Sequence, residues 1–566
     1  MHKNITAAAL GQIPADLILK NCQIVDVFSG TIYRSNIAIV DGYIAGIGDY
    51  EKAAETIDVK GAYVTPGLIN AHCHVESSMA TPEAYCQEEL RWGVTTLVTD
   101  PHEIANVAGL EGIKYMLQAG KNTPINYYVQ LPSCVPATPF EHAGCILNAQ
   151  ALAELTEDEQ VLGLGEVMNV PGVLMQEQDL TDKLDLFKHR NAVIDGHAPS
   201  VSGMPLQAYI ASGIQTDHES TSWQEAKEKL RNGLAILIRE GSASKNLTAI
   251  VKGLLQENIH SSNLAFCTDD KHLADIKAEG TIRHCIKKAV ALGMEPITAI
   301  QIATYYAAKI YNLKHLGAIA PGKQADIVVF NNLQDFIPQL VLAKGKIITQ
   351  LNNTAPVSPP QNLLHSINPA SFTLADFSAD KFLENKQYPV IEMIPGEILT
   401  ECSYISGDKI KTALKANELC LIAVIERHHS TGNIGLGLIK GYGIKNGAAA
   451  TTVAHDSHNM IIIGTNPEAM FTAATELLNS NGGYTLVENT TVLRTLPLPI
   501  CGLMSDKPAD KLIKELEEIK CLAHQQGVHP AIDPFISLSF MALPVIPKIR
   551  ITDMGMFDTV NFKFID

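Results

Sequence analysis

Paired cysteines are missing from this sequence. Its 11 Cys stand singly, with no CxxC among them, so neither a disulfide framework nor a zinc ribbon is indicated and a reducing compartment fits best. Positive charge is in short supply: 43 Lys plus Arg face 60 Asp plus Glu, a formal charge of -17. Phosphate neutralisation needs clustered cations, so nucleic acid is not an expected partner. The Gly-rich phosphate loop of the Walker type is also lacking, which favours a small neutral ligand over a nucleotide. No apolar run has the length of a membrane span, and the opening MHKNITAAALGQIPADLILK lacks a long apolar segment. A soluble, cytoplasmic protein without a membrane partner is expected.

What is present is ample apolar side chain, 46% of 566 residues against 18% charged, enough for several globular units. Residues 15 to 64 read as short strands with turn signals at Gly30 and Asp41-Gly42, and a matching run returns in GAIAPGKQADIVVFNN and LVLAKGKIITQ. Both stretches are expected to complete one small β-sandwich-like domain, residues 1–65 plus 316–350. Between them short apolar runs alternate with helical patterns: TTLVTD, INYYVQLPS, VLGLGEVMN, AVIDGHAP, GIQTDHES, LAILIREGS and LAFCTDD. Alternation of this kind over roughly 250 residues predicts a (β/α)8 TIM barrel at 66–315, whose chemistry belongs on loops at the C-terminal strand ends. The Asn-, Pro- and Ser-rich stretch 351–380 reads as a linker, and 381–566 as a C-terminal α/β domain.

The strongest local signal is TPGLINAHCHVESS. His72 and His74 are two apart at the end of an apolar run, so on a strand both imidazoles point to one face and can meet one cation. An HxH alone is as often a pair of ordinary histidines. Four further runs end in a potential ligand: Glu166, His197, His218 and Asp269. Six such groups on one rim are costly to bury without a cation between them.

The split β domain, the phrase VTPGLINAHCHVE and the order HxH, Glu, His, His, Asp resemble the amidohydrolase superfamily over roughly the first 350 residues. PGLINAHCHVESSM, TTLVTDPHEIANV, LGEVMN and AHDSHN narrow the resemblance to the bacterial adenine deaminases, over essentially the whole chain. The resemblance implies hydrolytic deamination of adenine to hypoxanthine by a metal-activated hydroxide. It also implies a binuclear centre, with His72 and His74 on one metal, His197 and His218 on the other, and a bridging residue from the fourth strand. Many superfamily members bridge with a carboxylated lysine; this sequence has Glu166 there, whose carboxylate already offers two oxygens. Imidazole and carboxylate ligands without thiolate, taken with the resemblance, favour Mn2+ or Fe2+ over Zn2+. A homo-oligomer is the family expectation.

Asp269 is the expected proton shuttle, Glu166 the bridge, and His218 a ligand that also orients the leaving group. In Asp100-Pro101-His102-Glu103, His102 and Glu103 either contact substrate, bind an extra metal weakly, or cap the helix that follows. Ser242 and Ser244, with Lys245 and Asn246, offer donors and acceptors to a purine edge or form a solvated loop. In AHDSHN, His455, Asp456 and His458 are either turn chemistry or a loop that closes the barrel mouth. The alternatives to adenine are another nucleobase or a cyclic amide, and, from a different class, a diiron redox protein. Such redox sites more commonly draw ligands from Glu-x-x-His motifs on bundle helices. His74-Val75-Glu76 matches half of the cytidine-deaminase zinc signature, whose PCxxC half is absent.

Overall fold

Eight parallel strands form the centre of the molecule: Leu68–His74, Val94–Thr99, Asn126–Leu131, Val161–Val167, Val193–Gly196, Thr216–Asp217, Ala235–Arg239 and Leu264–Cys267. The structure is a computed structural model and describes residues 2–242, 244–350, 356–397 and 399–565. Neighbouring strands run in parallel register from the first to the fifth and from the sixth to the eighth. Asp269–Asp270, just past the eighth strand, pairs in parallel with Cys73 and His74 of the first and closes the ring. Helices such as His102–Lys121, Gln178–His189 and Leu247–Glu257 return the chain between strands. The second and seventh strands are buried at every position. That follows from a barrel whose outer face is covered by helices and whose inside is filled by side chains.

The two flanks of the barrel share one sheet. Tyr63–Pro66 lies antiparallel to Ile327–Phe330, joining strands 15–26, 31–40, 43–48 and 53–58 to 338–343 and 346–347. Asp41 and Gly42 both have positive φ, 51° and 80°, as a two-residue I′ hairpin requires. Gly42 is also where the sheet meets itself, because a Cβ there would stand 2.8 Å from the Lys344 carbonyl oxygen. The sandwich-like packing thus arises from one continuous sheet curled over Leu19, Ile24, Ile39, Val64, Val329 and Leu342.

An eight-stranded, mostly antiparallel sheet builds the C-terminal part, in the order 400–406, 387–393, 434–440, 420–425, 460–464, 447–451, 483–488, 491–497. Its central strands alternate between two cores. Leu421, Ala423 and Ile425 pack with helices Gly407–Lys415 and Pro467–Asn479, while Ile422 and Val424 join the core that includes the barrel. Both faces are covered, so CLIAVI and MIIIG are unbroken apolar runs. The stretch read as a linker is partly packed: Leu363 and Phe377 are fully buried, and Phe377 joins the core under the sheet. Its first five residues, 351–355, lie outside the described residues.

Candidate metal centre

Strand ends bring all six expected donors together. His74 Nε2 stands 3.3 Å from Glu166 Oε1 and 3.0 Å from Asp269 Oδ1, and His72 Nε2 is 3.6 Å from the same Asp269 oxygen. On the other side of Glu166, Oε2 faces His197 Nδ1 at 2.6 Å and His218 Nε2 at 3.2 Å. The Glu166 carboxylate therefore divides the histidines, with one oxygen toward the first strand and one toward the fifth and sixth. The His72 and His218 rings stack at 4.2 Å. Barrel closure explains the convergence, because each donor ends a strand or directly follows one, and all the strands point the same way.

The donor set fits divalent cations. Atoms bound to one ion at about 2.1 Å lie about 3.0 to 3.4 Å apart at tetrahedral or octahedral angles, and most of the separations above cluster there. Both ring nitrogens of His72 and Nδ1 of His218 are buried without a hydrogen-bond partner. Burial, then the facing His218, push His72 down to about 4, so it is a neutral imidazole with a free lone pair at neutral pH. Burial alone would raise Asp269, but the Arg239 guanidinium and then His72 and His74 hold its carboxyl well below the usual range. Glu166 is likewise held down against burial, by His197, His218 and His74. Against burial, carboxylates draw other imidazoles up, Asp269 and Glu166 acting on His74, Glu219 and Glu166 on His197 to about 9, and Glu166 on His218. The carboxylates thus attract positive charge, which a bound cation would supply in place of those protons.

The flanking residues take several roles. The helix after Pro101 begins at His102 with no side-chain cap from Pro101; Glu76 Oε1 instead accepts the Ile104 N–H at 3.2 Å. His102 turns Nδ1 toward Glu166 Oε1 at 3.4 Å and Nε2 toward Asp456 Oδ1 at 3.9 Å. Glu103 accepts from Ser77 Oγ at 2.7 Å and has its other oxygen 3.8 Å from His458 Nε2. The 454–459 loop of the C-terminal domain thus lies at the barrel mouth, where Asn459 Nδ2 donates to the His142 carbonyl at 2.8 Å and His455 stacks on Phe540. Ser242 Oγ donates to Asp275 at 2.5 Å and accepts the His272 N–H at 2.9 Å, and the Ser244 carbonyl accepts from Gly241 N–H. Asn246 turns back into the barrel, donating to the His218 carbonyl at 3.0 Å.

Sequence reasoning passed over Arg239 and Glu219. Arg239 donates to Asp269 Oδ2 at 2.6 Å and to Glu219, whose Oε1 is 3.5 Å from His218 Nε2. Arg239 closes the run LAILIR and Glu219 follows His218 directly, so both sat at strand ends already in view. Asp217 was missed as well: it accepts from the buried Lys229 ammonium at 2.9 Å and from the Ala198 N–H at 3.0 Å, fixing the turn after His197.

Residues 63–348 match the model of the Amidohydrolase family, and 398–563 that of the Adenine deaminase C-terminal domain. An adenine deaminase 2 of Carboxydothermus hydrogenoformans is 42% identical over 100% of this chain and 99% of its own. The chain belongs to the adenine deaminase family of amidohydrolases. Other relatives named adenine deaminase include one of Dehalococcoides mccartyi, 44% identical over 98% of this chain and 97% of its own, and one of Clostridium acetobutylicum, 42% identical over 98% of each. A member of this adenine deaminase family is a hydrolase, and its family and its His and carboxylate cluster together imply a metal centre. Among the described residues no helix is long and apolar enough to cross a membrane.

Proposed function

We propose that this family member hydrolyses adenine at C6, giving hypoxanthine and ammonia. The observation that carries the reading is the Glu166 carboxylate, which faces His74 with one oxygen and His197 and His218 with the other. His72, His74 and Asp269 would hold one divalent ion and His197 and His218 the second, with Glu166 reaching both; imidazole and carboxylate donors suit iron, manganese or zinc, and the family resemblance is what favours Mn2+ or Fe2+. Such ions, when bound, lower the pKa of a water from 15.7 to about 7, worth on the order of 12 kcal/mol in making the nucleophile.

The chain's own groups do the rest. Arg239 fixes Asp269 through Oδ2 and keeps it ionised, leaving Oδ1 at the cluster to take a proton from the attacking water. As the oxygen bonds to C6 and the C6–N bond breaks, that proton passes to the departing nitrogen, which leaves as ammonia. His218, braced by Asn246 on its carbonyl, keeps its ring beside Glu166 and orients the leaving group. The 454–459 loop covers the mouth and limits water access. The substrate is read as free adenine, and self-association as a homo-oligomer is part of the same reading. Ammonia release from adenine, guanine, cytosine and hydantoins tests it: adenine is the preferred substrate, and no release from adenine overturns the proposal.

A further inference from the structure

Strand 420–425 runs beside strand 460–464, with Ile425 opposite Met460, so the turn after the first lies against the 454–459 loop, at the seam between barrel and C-terminal domain. That turn is wound on one buried carboxylate. Glu426 Oε1 accepts the His428 and His429 N–H groups, and Oε2 accepts the Thr431 N–H at 2.9 Å and its hydroxyl at 3.0 Å. Three consecutive side chains of the turn then donate to main-chain carbonyls. Arg427 Nε donates to His458, His428 Nε2 to Ser457 at 2.8 Å, and His429 Nε2 to Ala143 at 2.8 Å. A carbonyl only accepts, so each imidazole carries a proton on Nε2. Asn459 completes the knot: its Oδ1 accepts the Arg427 N–H at 3.2 Å and its Nδ2 donates to the His142 carbonyl. One turn thus ties the 454–459 loop to barrel segment 142–143.

Arg427 is the anchor. Its fully buried guanidinium donates to neutral acceptors, among them the Cys501 carbonyl at 3.0 Å and Ser366 Oγ at 3.4 Å. Gly502 leaves room for it, because a Cβ there would stand 2.8 Å from the guanidinium. Burying a cation among neutral groups is costly, and what it secures here is the placement of the loop. The loop in turn reaches the donor cluster, since Asp456 Oδ1 stands 3.9 Å from His102 Nε2 and the His102 ring faces Glu166 Oε1 at 3.4 Å.

We propose that Arg427, His428 and His429 are positioning residues for the deamination, a clamp that sets the 454–459 loop as a lid over the barrel mouth. The inference rests on the adenine reading above. The clamp acts through main-chain carbonyls of the loop, so its loss alters turnover and leaves the metal ligands in place; misplacement by about 1 Å can lower a rate about 100-fold.

Steady-state kinetics on adenine, metal analysis and amide hydrogen exchange, on the parent, His428→Ala and His428→Gln, test this. The Ala454, His455 and His458 amides donate to His458 Nδ1, Ser539 Oγ and the Ala454 carbonyl, so they exchange slowly in the parent. In His428→Ala they are expected to exchange about tenfold faster, with kcat down about tenfold, KM changed no more than about threefold and metal content unchanged. His428→Gln keeps a donor near the Nε2 position and recovers most of both losses. His429 is exposed, so His429→Ala stands as the test should His428→Ala not fold, with about threefold effects in the same direction. Parent-like kcat or parent-like exchange in the folded alanine variant, or a glutamine variant as impaired as His428→Ala, overturns the inference alone. A parent inactive on adenine overturns the functional reading; the clamp then stands or falls on the exchange comparison, which needs no substrate.

Discussion

Two clusters of buried histidines and carboxylates face each other across the barrel mouth. One gathers around Glu166; the other joins Glu103 to His455 and His458. Their compositions are alike and their geometries are not. In the first, every donor ends or follows a barrel strand, and the nitrogen-to-oxygen separations run from 2.6 to 3.6 Å. In the second, Glu103 rides on a barrel helix and the histidines on a loop of another domain, the closest His458 approach to Glu103 is 3.8 Å, and the other Glu103 oxygen is engaged by Ser77. The difference teaches that residue type alone does not make a ligand set; a backbone that converges does. We propose that the strand-end cluster holds the ions and that the seam cluster closes over them, although Glu103, His455 and His458 also lie close enough to share an ion.

Glu166→Gln should break the comparison most severely. Removing the shared charge is expected to cut adenine deamination at least about 100-fold and to lower metal content below that of the parent. Turnover close to the parent's would contradict the role given to Glu166.

His455→Ala probes the other cluster. Turnover should fall about tenfold while metal content stays at the parent level, because the residue acts from the lid and not from the ligand set. A loss of metal in this variant would put the seam cluster among the ligands, and unchanged kinetics would make the loop mere turn structure.

Strand-end donors were the legible part of this molecule, and the reason is physical. In a parallel barrel an apolar run ends where the chain reaches the rim, so the polar residue closing TTLVTD or VLGLGEVMN is already placed, and alternating runs of this kind are what gave the fold class away. Arg239 and Glu219 were not legible because an Arg or Glu at a strand end is common, and their importance lies in Arg239 reaching Glu219 across 20 positions of chain and Asp269 across 30. Glu76 as the cap of a helix starting at His102 depends on the same long-range geometry. The stretch from 356 to 380 looked like a connector from its Pro and Asn content; Leu363 and Phe377, two isolated apolar residues, bury themselves against elements far away in sequence.

A third carboxylate sharpens the comparison with the smallest effect. Glu89 is fully buried with hydrogen bonds from Thr281 at 2.5 Å and Asn70 at 3.5 Å, and among the described residues no cation forms an ion pair with it. Burial pushes it up to about 7, while those hydrogen bonds pull the other way, in contrast to Glu166. Between the ordinary value of 4.5 and about 7 the folded chain keeps this proton and the unfolded chain loses it, so this group's contribution to stability falls as pH rises through that window, by about 3 kcal/mol in all. Glu89→Gln is always neutral and should therefore gain on the parent in Tm from pH 5 to pH 8, with deamination little changed. A Tm difference that stays flat across that range would show that Glu89 does not hold its proton in the folded state.

The central claim is that the Glu166 carboxylate lies between two cations. Anomalous scattering from crystals of the Mn2+-loaded protein tests it most directly. The account predicts two peaks, one beside His72, His74 and Asp269 and one beside His197 and His218. A single peak between Glu103 and His458, or none at the strand ends, would contradict it.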